Sequence, residues 1–224
     1  MRQILVEACV ETLEGSLAAE EGGAGRVELC ASLEVGGLTP PDSLLHQFVR
    51  RLSIPVVVLV RPSPGSFVLA EPQLAQLVEQ IRRAVDLGAA GIVAGALTPE
   101  GSIDPHAVSA VLAAAHPLPV TFHRAFDEVV DQAAALEVLI RLGVSRVLTS
   151  GGAATAAGGA SRIRALVEQA AGRIGVLAGG SVRAHNAEAL VRETGVTELH
   201  SRTVPDAAAV RALVLAANRA AFLS

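Results

Sequence analysis

The chain contains no lysine; all 18 of its basic residues are arginine. That closes it to Schiff-base chemistry through a lysine imine and to the phosphate-binding lysine of a P-loop. Tryptophan and tyrosine are missing too, and aromatic residues make up 2% of the 224 positions. The core must therefore be assembled from Ala, Val, Leu and Ile. With 51% hydrophobic and 18% charged residues, the composition is that of a packed globular chain. The net charge is −4, without a block of one sign, so the basic footprint of a nucleic-acid partner is absent. No apolar run approaches the ~18 residues of a membrane span. The opening stretch from Met1 to Glu7 reads straight into a strand, and Glu7 interrupts its apolar run, so no secretory signal is expected. Two cysteines without such a signal point to a reducing, cytoplasmic setting with free thiols.

What is there is a repeat of short apolar runs, each followed by a helical pattern. The strand candidates are 4–8, 26–29, 56–60, 91–94, 120–123, 146–149, 174–177 and 198–200. They are near-continuously apolar or β-branched, as parallel strands covered on both faces should be. Helical periodicity covers 13–21, 74–87, 105–115, 132–142, 163–171, 186–194 and 206–220, with a less clear helix between about Pro40 and Leu52. Gly88, Gly143 and Gly195 follow helices and lead into strands, the usual helix-to-strand turn of such architectures. Eight βα units without a ninth strand, and without G-x-G-x-x-G after an early strand, predict one (β/α)8 TIM barrel spanning 1–224 as a single domain.

In such a barrel the site lies at the C-terminal ends of the strands, and the polar residues cluster there. Strands 1 and 2 both end in Val-Glu-x-Cys, carrying Glu7 with Cys9 and Glu28 with Cys30. Strand 3 runs into Arg61, and strand 5 into His123, Arg124 and Asp127. Strands 6, 7 and 8 end in Thr149-Ser150-Gly151, Gly179-Gly180-Ser181 and His200-Ser201. The opposite strand ends carry Arg26, Arg146 and Arg173 but no His, Cys or paired carboxylates.

Side-chain alternation puts Glu7 and Cys9 on one face of strand 1, and Glu28 and Cys30 on one face of strand 2. If both faces point inward, two carboxylates and two thiols meet near the mouth, with Arg61, His123 and Arg124 available to compensate the buried charge. A structural ion-pair network is the plain alternative. His123 is a general acid or base candidate, with a satisfied core histidine as the plain alternative, and Asp127 either holds its ring or itself faces a substrate. The turns after strands 6 and 7 offer hydroxyls and backbone N–H groups to an anion, and His200 and Ser201 close that pocket. Two thiols on adjacent strands suit a soft ion such as Cu(I).

The segments Val27-Glu28-Leu29-Cys30, Gly36-Gly37-Leu38-Thr39-Pro40, Arg61-Pro62, Thr121 to Asp127, Arg146 to Gly152 and Glu198 to Ser201 resemble the CutC family of copper homeostasis proteins. The resemblance runs from the first strand to the eighth. It implies a cytoplasmic α/β barrel that forms homo-oligomers and is associated with copper binding. The matching motif residues are Glu28, Cys30, Arg61, His123, Arg124, Asp127, Ser150 and His200. The chain departs from the family pattern at Ser63 to Phe67, where Arg, Gly and Asp usually precede the Phe, at Ser181 in place of Gly, and at Ala94 in place of Phe.

Two readings stand side by side. In one, Cys9 and Cys30 bind copper. In the other, an enzyme takes a small anionic metabolite, phosphorylated ones included, and has no copper role. Arg61 and Arg124 then clamp the anion, His123 moves a proton, and Glu7 or Glu28 acts as base or orients it.

Overall fold

The computed structural model describes residues 3–202 and 205–221; the Met1-Arg2 start of the first strand pattern lies outside them. Strands β1 (Leu5–Val10), β2 (Arg26–Leu29), β3 (Val56–Leu59), β4 (Gly91–Ala94), β5 (Val120–Phe122), β6 (Arg146–Thr149), β7 (Gly175–Gly179) and β8 (Glu198–Arg202) alternate with helices. These are α1 (Leu13–Glu21), α2 (Asp42–Arg51), α3 (Glu71–Asp86), α4 (Pro105–Ala115), α5 (Gln132–Leu142), α6 (Ala160–Ala170), α7 (Ala184–Thr194) and α8 (Ala207–Ala221). Each strand pairs in parallel with the next, and β8 pairs with β1, which closes the barrel. Among the described residues no helix is long and apolar enough to cross a membrane.

Local chemistry accounts for the helix boundaries. Asp104 and Asp131 cap α4 and α5 by accepting N–H groups of the first turn. Gly143 and Gly195 end α5 and α7 in the left-handed region that glycine enters at little cost. Helices α3, α6 and α7 begin two or three residues before the periodicity suggests. Their first turns carry Glu71-Pro72-Gln73, Ala160-Ser161-Arg162 and Ala184-His185, which leave no apolar stripe to read.

Alternation divides each strand between two environments. On β1, Val6, Ala8 and Val10 face the helices and join the outer apolar layers. Leu5, Glu7 and Cys9 lie on the other face. Within the barrel Cys9, Cys30, Val57, Leu59 and Val93 form a small apolar cluster on the β1–β4 side. The larger packing term comes from the outer layer, where Phe48, Phe122, Phe126, Leu136, Leu139 and Ile163 are fully buried. Each such side chain contributes about 1.5–3 kcal/mol relative to exposure. The outer layer carries most of the apolar burial, which leaves the inner wall free to hold polar groups.

Candidate functional site

Glu7 is completely buried in the barrel wall, and two basic groups hold its two oxygens. Arg26 donates through Nε to Oε2 at 2.5 Å, and His200 Nδ1 lies 2.7 Å from Oε1. Burial alone would raise the Glu7 pKa, but the His200 hydrogen bond and the Arg26 charge outweigh it and hold it at about 2. Arg26 also donates to Glu198 at 2.7 Å, and Arg146 donates to the same carboxylate at 3.0 Å. An alternating line of charges, Arg146, Glu198, Arg26, Glu7 and His200, thus runs from the strand starts towards the mouth.

This corrects the partners expected for the two carboxylates. Arg61, His123 and Arg124 do not serve Glu7 and Glu28; Arg26 and His200 hold Glu7, and His200 alone faces Glu28. Arg26 starts β2, and its long side chain lies across the inner wall level with Glu7, its register partner. The alternation that places Glu28 inward places Arg26 inward as well, so the signal was present in the pattern.

Glu28 sits one layer higher, 4% exposed, with Oε2 3.6 Å from His200 Nδ1. That oxygen has no hydrogen-bond partner among the described residues. Burial pushes the Glu28 carboxyl up to about 7, against the opposing charge of His200. Burial acts to lower the His200 pKa, but Glu28 and the bonds to Cys9 and Glu7 lift it well above its ordinary value. The Cys9 and Cys30 sulfurs approach to 3.4 Å, both buried and unoxidised. The hydrogen bond with Cys30, burial and the nearby Glu28 raise the Cys9 pKa. The sequence reading of two carboxylates and two thiols meeting near the mouth corresponds to this cluster, with His200 at its centre. One donor atom each from Cys9, Glu28 and Cys30 lie within 4.8 Å of one another, a spacing that suits a metal ion.

The remaining rim residues form two other groups. Asp127 does not hold His123. It accepts from Thr149 Oγ1 at 2.5 Å, from the Ser150 and Gly152 amides at 3.0 Å, and from Ser150 Oγ at 3.1 Å, and it pairs with Arg124. The β6 turn that the sequence offered to an external anion is therefore occupied by the protein's own carboxylate. Thr149, Ser150 and Arg124 spend donors on it, and the Gly151 amide is bonded to Thr149 Oγ1 at 2.9 Å. Gly179 and Gly180 allow close approach: a Cβ at Gly179 would meet Leu148 and His200, and one at Gly180 would meet Ser150. Ser181 is exposed and holds φ +57, a strained choice at the position where the family pattern has glycine. Ser201 points away from the mouth, and its hydroxyl donates to the Val182 carbonyl at 2.8 Å.

Arg61 straps two loops together, donating to the Val35, Gly37 and Gly65 carbonyls while lying 4.8 Å from the Phe67 ring centre. His123 also packs against Phe67, with ring centres 4.9 Å apart and 6% of its surface exposed. Its Nδ1 accepts from the Ala125 amide at 3.3 Å. Burial, and then the Arg61 charge, push its pKa down to about 3, so the ring is neutral at physiological pH. Because the folded value lies below the ordinary 6.5, this group's stabilisation is complete above 6.5 and is lost as pH falls towards 3. Urea titrations from pH 7 to 3 should show His123→Gln losing less stability than the parent, by on the order of a few kcal/mol at the acid end. Parallel losses in the two proteins would contradict a neutral buried ring.

Comparison with known proteins agrees with this architecture. The family model described as "CutC family" matches residues 4–204. The human copper homeostasis protein cutC homolog is 44% identical over 196 residues, spanning 88% of this chain and 72% of the human one. The family protein CutC of Pasteurella multocida is 45% identical over 195 residues, spanning 87% and 80%. A crystal structure of a copper homeostasis protein CutC from Streptococcus agalactiae superposes with a TM-score of 0.84 at 36% identity, covering 88% of this chain and 98% of that one. The N-(5'-phosphoribosyl)anthranilate isomerase of Pyrococcus furiosus shares the fold alone, at 15% identity and a TM-score of 0.64. From the first strand to the last, this chain belongs to the CutC family.

Proposed function

We propose that the protein binds Cu(I) through Cys9 and Cys30 as part of copper handling in the cytoplasm. The observation that carries this reading is the 3.4 Å approach of two buried, reduced sulfurs from adjacent strands. One ion with metal–sulfur bonds of about 2.3 Å reaches both without separating the strands. Thiolates are soft donors and favour Cu(I) over harder cations. The apolar wall of Val57, Leu59 and Val93 beside them keeps water from competing and shields a reduced ion. Both thiols must give up their protons on binding, which the raised Cys9 pKa makes costly until the metal arrives. The names of the human and bacterial relatives point the same way.

An anionic-substrate enzyme has less support at the β6 turn and at Arg61, because Asp127 takes the Ser150 and Gly152 amides and backbone carbonyls take the two Arg61 NH groups.

The test is an anaerobic competition of the reduced protein against a chromophoric Cu(I) chelator. The parent should hold one Cu(I), whereas Cys9→Ser and Cys30→Ser should each lose tight binding while unfolding as cooperatively as before. Unchanged affinity in both variants would remove the proposal.

A further inference from the structure

Oxygen ligands are poor partners for Cu(I), so the thiol pair leaves Glu28 without a role. Its Oε2 is buried, has no hydrogen-bond partner among the described residues, and faces His200 Nδ1 at 3.6 Å. A buried carboxylate oxygen in that position calls for a proton or a cation. Glu7 lies level with His200 across the β1–β8 pair and presents Oε1 to the same nitrogen at 2.7 Å. Its other oxygen is held by Arg26, which fixes the carboxylate's orientation from behind. Donor atoms of Glu7, Glu28 and His200 all lie within 4.8 Å of one another.

We propose that Glu7, Glu28 and His200 form a second metal site, for a divalent cation of the Zn(II) class, next to the thiol pair. Two carboxylate oxygens and one imidazole nitrogen are a borderline-to-hard donor set, unlike the sulfurs. Separations of 2.7 and 3.6 Å are spanned by one ion with bonds of about 2.0–2.2 Å. His200 coordinates as the neutral imidazole and releases its proton to solvent on binding. The site does not depend on copper binding by the thiols.

The experiment uses the full chain, stripped with a chelator and titrated with Zn(II) by calorimetry, with Co(II) as the spectroscopic probe. The parent and the Cys9→Ser/Cys30→Ser double variant should each bind one Zn(II). Their Co(II) complexes should lack a thiolate-to-cobalt charge-transfer band. His200→Asn should weaken Zn(II) by more than about 10-fold, the least that even an outer-sphere change commonly costs, yet keep Cu(I), which also reports that it is folded. If His200→Asn does not fold, Glu28→Gln decides, since loss of Zn(II) supports the site and retention overturns it. No Zn(II) bound by the parent, loss of Zn(II) in the double serine variant, or a thiolate band with Co(II) would each overturn it. A parent protein that binds Zn(II) but no Cu(I) would count against the thiol reading alone.

Discussion

Replacing Arg26 with methionine is expected to cost about 3–5 kcal/mol of folding stability, the range for removing one member of a buried ion pair. Methionine nearly preserves the volume, so the loss is electrostatic. Glu7 is fully buried and keeps only His200 on its other oxygen, and Glu198 keeps only Arg146. The pH dependence gives the expectation its sign. With Arg26 in place, Glu7 stays ionised down to about 2. Without it, burial favours the protonated carboxyl, so the penalty should be largest at alkaline pH and shrink as pH falls. Urea denaturation at pH 8 and pH 5 measures both. A cost below about 1 kcal/mol at pH 8, the level of an exposed pair, would mean that the network is not holding Glu7. Adding Glu7→Gln to Arg26→Met should recover part of the loss, since removing both charges is less costly than stranding one.

Gly159→Ala should be as severe through a different mechanism. Gly159 precedes α6, and a Cβ there would overlap the Ser150 carbonyl oxygen and lie 2.9 Å from its carbon. Both are backbone atoms, so no side chain can turn aside and the β6 turn itself has to move. That turn carries the Ser150 and Gly152 amides bonded to Asp127. The expected cost is at least about 3 kcal/mol, the upper end for overpacking, with faster hydrogen exchange at those two amides. Gly143→Ala is the control. Gly143 has a positive φ, +85°, unlike Gly159 at −98°, but nothing lies within 4 Å of its Cβ position, so only the conformational cost of about 1–2 kcal/mol remains. Equal, mild effects of the two substitutions would show that the turn is free to shift.

The two substitutions bear on one site from two sides. Arg26 acts from the strand starts, through Glu7, on His200. The β6 turn acts from the rim, through Asp127, on Arg124. Of the two networks only the first reaches Glu28, whose Oε2 faces His200 at 3.6 Å.

How much of this was legible in the chain differs from residue to residue. Eight apolar runs separated by helical periodicity determine the barrel, because parallel strands covered on both faces need that pattern. Period-two alternation determines that Glu7 shares a face with Cys9, and Glu28 with Cys30 and Arg26, while the closed barrel decides that both faces point inward. The sequence alone also excludes lysine chemistry. Only the tertiary structure decides who pairs with whom. An arginine side chain is long enough to cross from a strand start to a neighbour's carboxylate, so position along the strand did not reveal that Arg26 serves Glu7. Closeness in sequence suggests Asp127 beside His123, but the turn at Arg124 directs it to the amides of β6, 23 to 25 residues away. Whether Gly151 and Gly152 cradle a ligand or a side chain of their own protein is likewise set by what folds over them. The strand-end rim seen in the sequence is real as a place, while its division into a thiol and carboxylate cluster, a filled turn and a strapped histidine arises from long-range charge pairing that no local pattern encodes.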